Sequence, residues 1–194
     1  MVLDTKPFFI LASASPRRKQ LLTEAGYDFK VVVSRVDESE FGSINIKPVD
    51  YAKRLALAKA VSVASKHKDI LIVGADTIVD LDGEIIGKPV NAEDAERITK
   101  KLFSTPHKVI TAIAIVRSSD KLQIVESDTT VVYPKLLTEK QISEHIKSGT
   151  WEDKAGAYAI QETGDEFVEK IEGSLTNVMG MPMELFKRLI REIT

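Results

Sequence analysis

Apolar positions along this 194-residue chain change period several times, and each change predicts an element. The block PFFILA, residues 7 to 12, is apolar throughout and predicts a buried first strand. Pro16 to Ala25 then predicts a short helix, stopped by Gly26, and FKVVV at 29 to 33 a second strand. Residues 34 to 47 are polar and without period, which predicts a loop. From Val49 to Lys66 the spacing of Leu55, Ala58, Val61 and Ser62 is helical, with lysines on the other side. DILIVGADTIVDLDGEII, 69 to 86, reads as a buried strand followed by a hairpin turn at Asp82-Gly83.

The second half alternates in the same way. Asn91 predicts the cap of a helix ending near Phe103, and strands over 107 to 117 and 121 to 133 pair around Ser118 to Asp120. Thr138 and Gln141 form a capping box for a helix that ends at Gly149. A glycine-containing loop carries DKAGAY, FVEKI forms a short strand, and a last helix starts at Pro182. The fold class is therefore α/β: a mixed twisted sheet with flanking helices, over a single domain spanning 1–194.

Composition narrows the chemistry. The chain is 43% hydrophobic and 29% charged, ordinary for a globular protein with a sizeable core. It has no cysteine, which removes disulfides, thiol nucleophiles and cysteine-ligated zinc together. His67, His107 and His145 lie far apart and show no metal-ligand spacing. A net charge of −2 argues against nucleic-acid binding by a basic surface. The apolar run from Phe8 to Ala12 is too short for a signal-peptide core or a membrane span, so a cytoplasmic location and no membrane contact are expected.

Within that ordinary composition, ILASASPRRKQLL (10 to 22) is physically awkward. Ser15 and Pro16 make a good helix start, yet Arg17, Arg18 and Lys19 follow in the first turn, where the helix dipole already disfavours cations. A strand running into a helix start bearing Ser13, Ser15, Arg17 and Arg18 makes a compact anion site. The alternative is that the arginines are solvated. Because the Arg18 charge opposes the dipole, its removal is expected to cost the free protein little.

Asp76 stands inside an apolar run, where an isolated carboxylate must be paired, metal-bound or protonated. It reads either as a turn cap at a strand end or as a base or metal ligand at the carboxyl end of a sheet strand. Lys59, among Lys53, Arg54, Lys66 and Lys68, reads by itself as part of a solvated helix face. Lys88 lies on a backbone fixed between Gly87 and Pro89. Asp37, Glu38 and Glu40 cluster in the first loop, and magnesium needs only one or two such carboxylates beside substrate phosphates. In DKAGAYAIQ, small residues suit close backbone approach and Gln161 suits reading a base edge; a tight turn is the alternative. GSLTNVMGMP, 173 to 182, reads as a turn before the last helix.

LASASPRR (11–18), LALAKA (55–60), VGADTIV (73–79), GEIIGKP (83–89), DKAGAYAIQ (153–161) and NVMGMP (177–182) together resemble the Maf family of nucleotide pyrophosphatases, in its order and over essentially the whole chain. The resemblance implies an elongated, two-lobed fold like that of inosine triphosphatases, with a central cleft and commonly a homodimer. It implies cleavage of a nucleoside triphosphate between the α and β phosphates, with a divalent metal (magnesium, or manganese or cobalt). By motif position, Ser13, Arg17, Arg18 and Thr77 would bind the substrate, Lys59 and Lys88 would be catalytic and reach phosphate oxygens, and Glu38 with Asp76 would bind metal. Asp76 would also orient the attacking water, and Gln161 would lie near the base. The cationic first turn is then explained by an anion that arrives with the substrate.

SPRR with KAGAY and IQ resembles the branch acting on dTTP, UTP and modified uridine triphosphates. Ala159 and Glu162 depart from that branch, where glycine and a small residue are common. Three alternatives are a purine (inosine, xanthosine or 7-methyl-guanosine triphosphate) pyrophosphatase, a non-catalytic regulator of cell division and a nucleic-acid binder. Asp76, Lys59 and Lys88 together speak against a site for binding alone, and the last lacks a basic surface with interleaved aromatics.

Overall fold

A computed structural model describes residues 6–42, 45–152, 154–158, 160 and 167–193. The elements are β1 (Phe9–Leu11), α1 (Pro16–Glu24), β2 (Phe29–Val31), α2 (Pro48–Ala64), β3 (Leu71–Leu81), β4 (Glu84–Ile86) and α3 (Ala92–Leu102). They continue with β5 (His107–Arg117), β6 (Leu122–Pro134), α4 (Glu139–Ser148), β7 (Val168–Glu172), α5 (Leu175–Val178) and α6 (Met183–Ile193). The strands form one sheet in the order β2-β1-β3-β5-β6-β7, with β4 paired to β3. β1 runs parallel to β2 and β3, and the other pairings are antiparallel, so the sheet is mixed as expected.

The boundaries follow local chemistry. Asn91 Oδ1 accepts from Asp94 N–H to start α3, and Thr138 with Gln141 forms the reciprocal capping box of α4, which Gly149 ends at φ 70°. Asp82 (φ 51°) and Gly83 (φ 91°) make the turn between β3 and β4. Three segments expected to be irregular hold short helices, one of them a 3-10 turn at Ala155–Ala157. Residues Glu38–Glu40 form one 3-10 turn capped by Asp37, whose side chain accepts from Ser39 N–H. Residues 175–178 become α5 because Ser174 caps it, its side chain accepting from Asn177 N–H.

Three apolar clusters cover the sheet. Phe9, Tyr27 and Phe186 meet edge to face at 5.0–5.9 Å, packing α1 and α6 on one side. α2 covers the other side through Ala52, Ala56, Ala60 and Val63, against Ile10, Ile72 and Ile110. The buried stripe of α2 is rotated from the one expected: Val61 is 48% exposed and Ser62 exposed. The reason is Gly74, where a Cβ would lie 2.4 Å from the Ala56 carbonyl oxygen; only a glycine opposite alanines lets helix and strand approach so closely. The third cluster, built on Val79, Ile98, Leu102, Val109 and Val132, supports the far end of the sheet.

One irregularity creates the site. β1 pairs with β3 only over Leu71–Val73, and β4 joins the same edge only at Val79. Between them the edge of β3 is without a strand partner, and the chain leaves β1 there to begin α1. Asp76 lies in that gap.

Candidate active site

Asp76 is the sixth of the eleven residues of β3, not at a strand end, so the turn-cap reading fails and the carboxyl-end placement expected for a base or metal ligand is corrected to mid-strand. The edge that opens beside it is the carboxyl end of β1, which is shorter than β3. A cleft of about 710 Å³ occupies this gap, large enough for a nucleotide. Ser13, Arg17, Arg18, Glu38, Lys59, Asp76, Thr77 and Lys88 all line it, which is every described residue expected at the site. Gln161, with Ala159 and Glu162, lies outside the described residues.

On the α2 side of β3 the groups are charged. Lys59 Nζ lies 2.6 Å from Asp76 Oδ1 and 2.8 Å from Glu38 Oε1, its side chain 13% exposed. It is not part of a solvated face: α2 turns this lysine inward while its neighbours face water. Burial pushes the Asp76 carboxyl above the usual range, and the charges of Lys59 and Arg18 only partly offset this. Burial disfavours ionised Glu38 too, but there the Lys59 hydrogen bond and charge, with Lys88 and Arg18 behind them, prevail and hold it below the usual range. Asp76 Oδ2 is buried and, among the described residues, without a hydrogen-bond partner. A buried carboxylate oxygen left unsatisfied is a costly feature that a ligand can relieve.

That oxygen is also the test of whether a metal fits. No group of three or more acidic, histidine or cysteine side chains that could hold a metal occurs among the described residues. Two carboxylates, Asp76 and Glu38, share one ammonium, and hard divalent cations are held by such a pair completed by phosphate oxygens and water. The donor set fits magnesium or manganese bound together with a polyphosphate.

On the other face of β3 Arg18 is held by neutral acceptors. Arg18 Nη1 donates to Ser13 Oγ at 3.0 Å, Nη2 to Thr77 Oγ1 at 3.0 Å and Nε to the Gly180 carbonyl at 2.8 Å. Ser15 caps α1 by accepting from Arg18 N–H, so the awkward first turn is real, and its arginine bends back onto neutral acceptors. Ser13 Oγ also accepts from Ser15 N–H, which leaves its hydroxyl hydrogen for a ligand.

Three cleft residues had no assigned part in the sequence. Tyr51, Leu55 and Lys59 lie along one stripe of α2 at helical spacing, and that spacing from Lys59 is the signal that finds Tyr51. Lys154 reaches the cleft while donating to the Thr150 carbonyl, and Tyr158 stands on His107, Oη to Nε2 2.9 Å. Gly156 of the DKAGAY loop packs on the core and does not line the cleft. Its φ is 74°, its N–H donates to the Gly87 carbonyl at 3.1 Å, and a Cβ would meet Val79 at 2.9 Å and Leu102 at 3.0 Å. This glycine ties the Lys88 loop to the core. Among the described residues, five cationic side chains face three carboxylates in the cleft, in a protein of net charge −2.

Comparison with known proteins agrees with this geometry. Residues 8–193 match the family model described as Maf-like protein. A relative from Citrifermentans bemidjiense named dTTP/UTP pyrophosphatase is 47% identical over 174 residues, 90% of this chain and 89% of its own. One of the same name from Bdellovibrio bacteriovorus is 43% identical over 188 residues, covering 95% of this chain and 98% of its own. Among solved structures, the Staphylococcus aureus Ham1 protein shares the fold, with a TM-score of 0.55, 12% identity and coverage of 96% of this chain and 100% of that one.

Proposed function

Because this chain belongs to the Maf-like protein family, we propose that its cleft hydrolyses a pyrimidine nucleoside triphosphate, dTTP or UTP, to the monophosphate and pyrophosphate. The relatives above carry that activity in their names and cover the chain almost end to end. The observation that carries the reading at this site is the unpartnered, buried Asp76 Oδ2 in a cationic cleft of nucleotide size. A binding site alone needs cations; it has no use for a buried base beside them.

The proposed division of work follows from the geometry. Ser13, Arg17 and Arg18 take phosphate oxygens at the start of α1. Lys59 and Lys88 neutralise charge along the polyphosphate, where positioning and charge compensation supply most of the catalysis. Asp76 Oδ2, buried and without a hydrogen-bond partner among the described residues, orients the attacking water and takes its proton. Asp76 and Glu38 would hold a divalent cation (magnesium, manganese or cobalt), which when bound adds charge neutralisation at the phosphates. The bond between the α and β phosphates breaks, the water oxygen stays on one product, and its protons leave through Asp76 and solvent. Gln161 is assigned the base. The same reading carries a homodimer and a cytoplasmic location, both implied by family likeness; no helix among the described residues is long and apolar enough to cross a membrane.

The direct test is product analysis with dTTP, UTP, ATP, GTP and ITP, each with magnesium, manganese or cobalt. Pyrophosphate released first, fastest from dTTP or UTP and only with metal, is expected. Orthophosphate as the first product would overturn the α–β assignment, and a preference for ITP would overturn the pyrimidine one.

A further inference from the structure

Behind Arg18 lies a buried group of polar side chains that the hydrolytic chemistry leaves without a part. Asn177 is fully buried. Its side chain serves strand β5 as a backbone would: Oδ1 accepts from Thr111 N–H at 3.1 Å, and Nδ2 donates to the Val109 carbonyl at 2.9 Å and to Thr130 Oγ1 at 2.9 Å. Its own carbonyl oxygen accepts from the Thr111 hydroxyl at 2.9 Å and from Gly180 N–H at 2.9 Å.

The hydrogens can then be followed one by one. Thr111 has a single hydroxyl hydrogen, and it goes to Asn177. The 3.0 Å contact between Thr77 Oγ1 and Thr111 Oγ1 must therefore use the hydrogen of Thr77. What the Thr77 hydroxyl has left is its two lone pairs, and Arg18 Nη2 donates into one of them. Phosphate oxygens need donors, and Thr77 has none to give. The second route is shorter: Gly180, tied to Asn177 by its N–H, offers Arg18 Nε its carbonyl. Of the five N–H donors of a guanidinium, three are engaged by Ser13, Thr77 and Gly180, which leaves one on each Nη for a phosphate.

We propose that Asn177 and Thr111 are positioning residues for Arg18, acting through the Thr77 hydroxyl and the Gly180 carbonyl. Thr77 then serves the phosphate site by aiming the guanidinium rather than by touching substrate. The proposal rests on the pyrophosphatase reading only in that Arg18 must meet a phosphate.

Thr111→Val keeps the shape and removes the hydroxyl; Thr111→Ser restores it. Each is made in the parent and in Arg18→Ala. Affinity for the non-hydrolysable α,β-methylene analogue of dTTP is measured by calorimetry with magnesium present, beside KM and kcat for dTTP. Thr111→Val is expected to weaken affinity and raise KM by about tenfold, with kcat within about twofold, a coupling typical of residues in one network. Thr111→Ser should recover most of the loss, and in the Arg18→Ala background Thr111→Val should add nothing. An equal loss in both backgrounds, or no loss in either, overturns the proposal. If Arg18→Ala alone leaves affinity and KM unchanged, the phosphate role of Arg18 fails, and the proposal with it. Should Thr111→Val melt far below the parent, Thr77→Val against Thr77→Ser gives the same cycle one step nearer to Arg18.

Discussion

Asp76 and Thr77 are neighbours in β3, and they face opposite sides of it. On the Asp76 side one ammonium bridges two carboxylates, and a buried carboxylate oxygen has no hydrogen-bond partner among the described residues. On the Thr77 side every hydrogen from Asn177 through Thr111 and Thr77 has an acceptor before any ligand arrives. The difference teaches which parts of a site are built in advance. Under the proposed function, the face that aims a cation is built at folding, whereas the face assigned the chemistry is held incomplete, at a cost, until substrate and metal complete it.

Asp76→Asn should have the largest effect. It keeps the shape but removes the proposed base and one proposed metal ligand, so turnover should fall by at least ~10²-fold. Affinity for the α,β-methylene analogue should change little. Single-turnover assays with near-parent rates would make Asp76 structural and move the search for a base to Glu38.

Arg18→Ala comes next and acts on the finished face. Loss of a charge-assisted phosphate contact is worth roughly 1.5–3 kcal/mol, which should appear as a 10- to 150-fold rise in KM. Read from sequence, this change costs the free protein little, because the charge opposes the α1 dipole. The structure corrects that: Ser13, Thr77 and Gly180 would each lose a donor, so the apo melting temperature should also fall. An unchanged melt would show that these three bonds hold the arginine without supporting the fold.

Gly180→Ala should disturb the same face less. Gly180 has φ 95°, and an added Cβ would lie 3.2 Å from Thr77 Oγ1 and 3.7 Å from Arg18 Nε. Strain of about 1–3 kcal/mol is expected, with a KM rise of a few fold. A larger loss in kcat than in KM would tie this face to the chemistry and blur the comparison. Val61→Lys, on the face of α2 turned from the sheet, should change stability by less than about 0.5 kcal/mol and kinetics not at all. A substantial destabilisation there would restore the helix stripe expected from sequence.

What could be read from the sequence divides along physical lines. Asp76 was legible because a carboxylate in an apolar run violates a strong rule, and the strands and caps because period and Asn91, Thr138 or Asp82-Gly83 encode them locally. Lys59 was not legible by itself, since a lysine that turns inward and one that faces water look alike among other lysines. The rotated stripe of α2 depends on Gly74, which lies on another element. Asn177 was hidden for the same reason: its partners lie 47 to 68 residues away in sequence, so the motif around it reads only as a turn. The mid-strand position of Asp76 follows from unequal strand lengths, which apolar runs do not mark sharply.

The contrast between the two faces is tested most directly by the apo melting temperatures of Asp76→Asn and Thr77→Val, measured beside the parent across pH. Burial raises the Asp76 pKa in the folded state, so its ionised form weakens the fold at all pH above that value; the penalty fades as pH falls towards the ordinary 3.8. The stabilising contribution of Glu38, whose pKa is held low, is lost on acidification in parent and variant alike. Asp76→Asn should therefore melt above the parent at neutral pH, with the gap closing on acidification, while Thr77→Val should melt below the parent at every pH. Melting of Asp76→Asn below the parent at neutral pH would contradict the claim that this face is held incomplete at a cost.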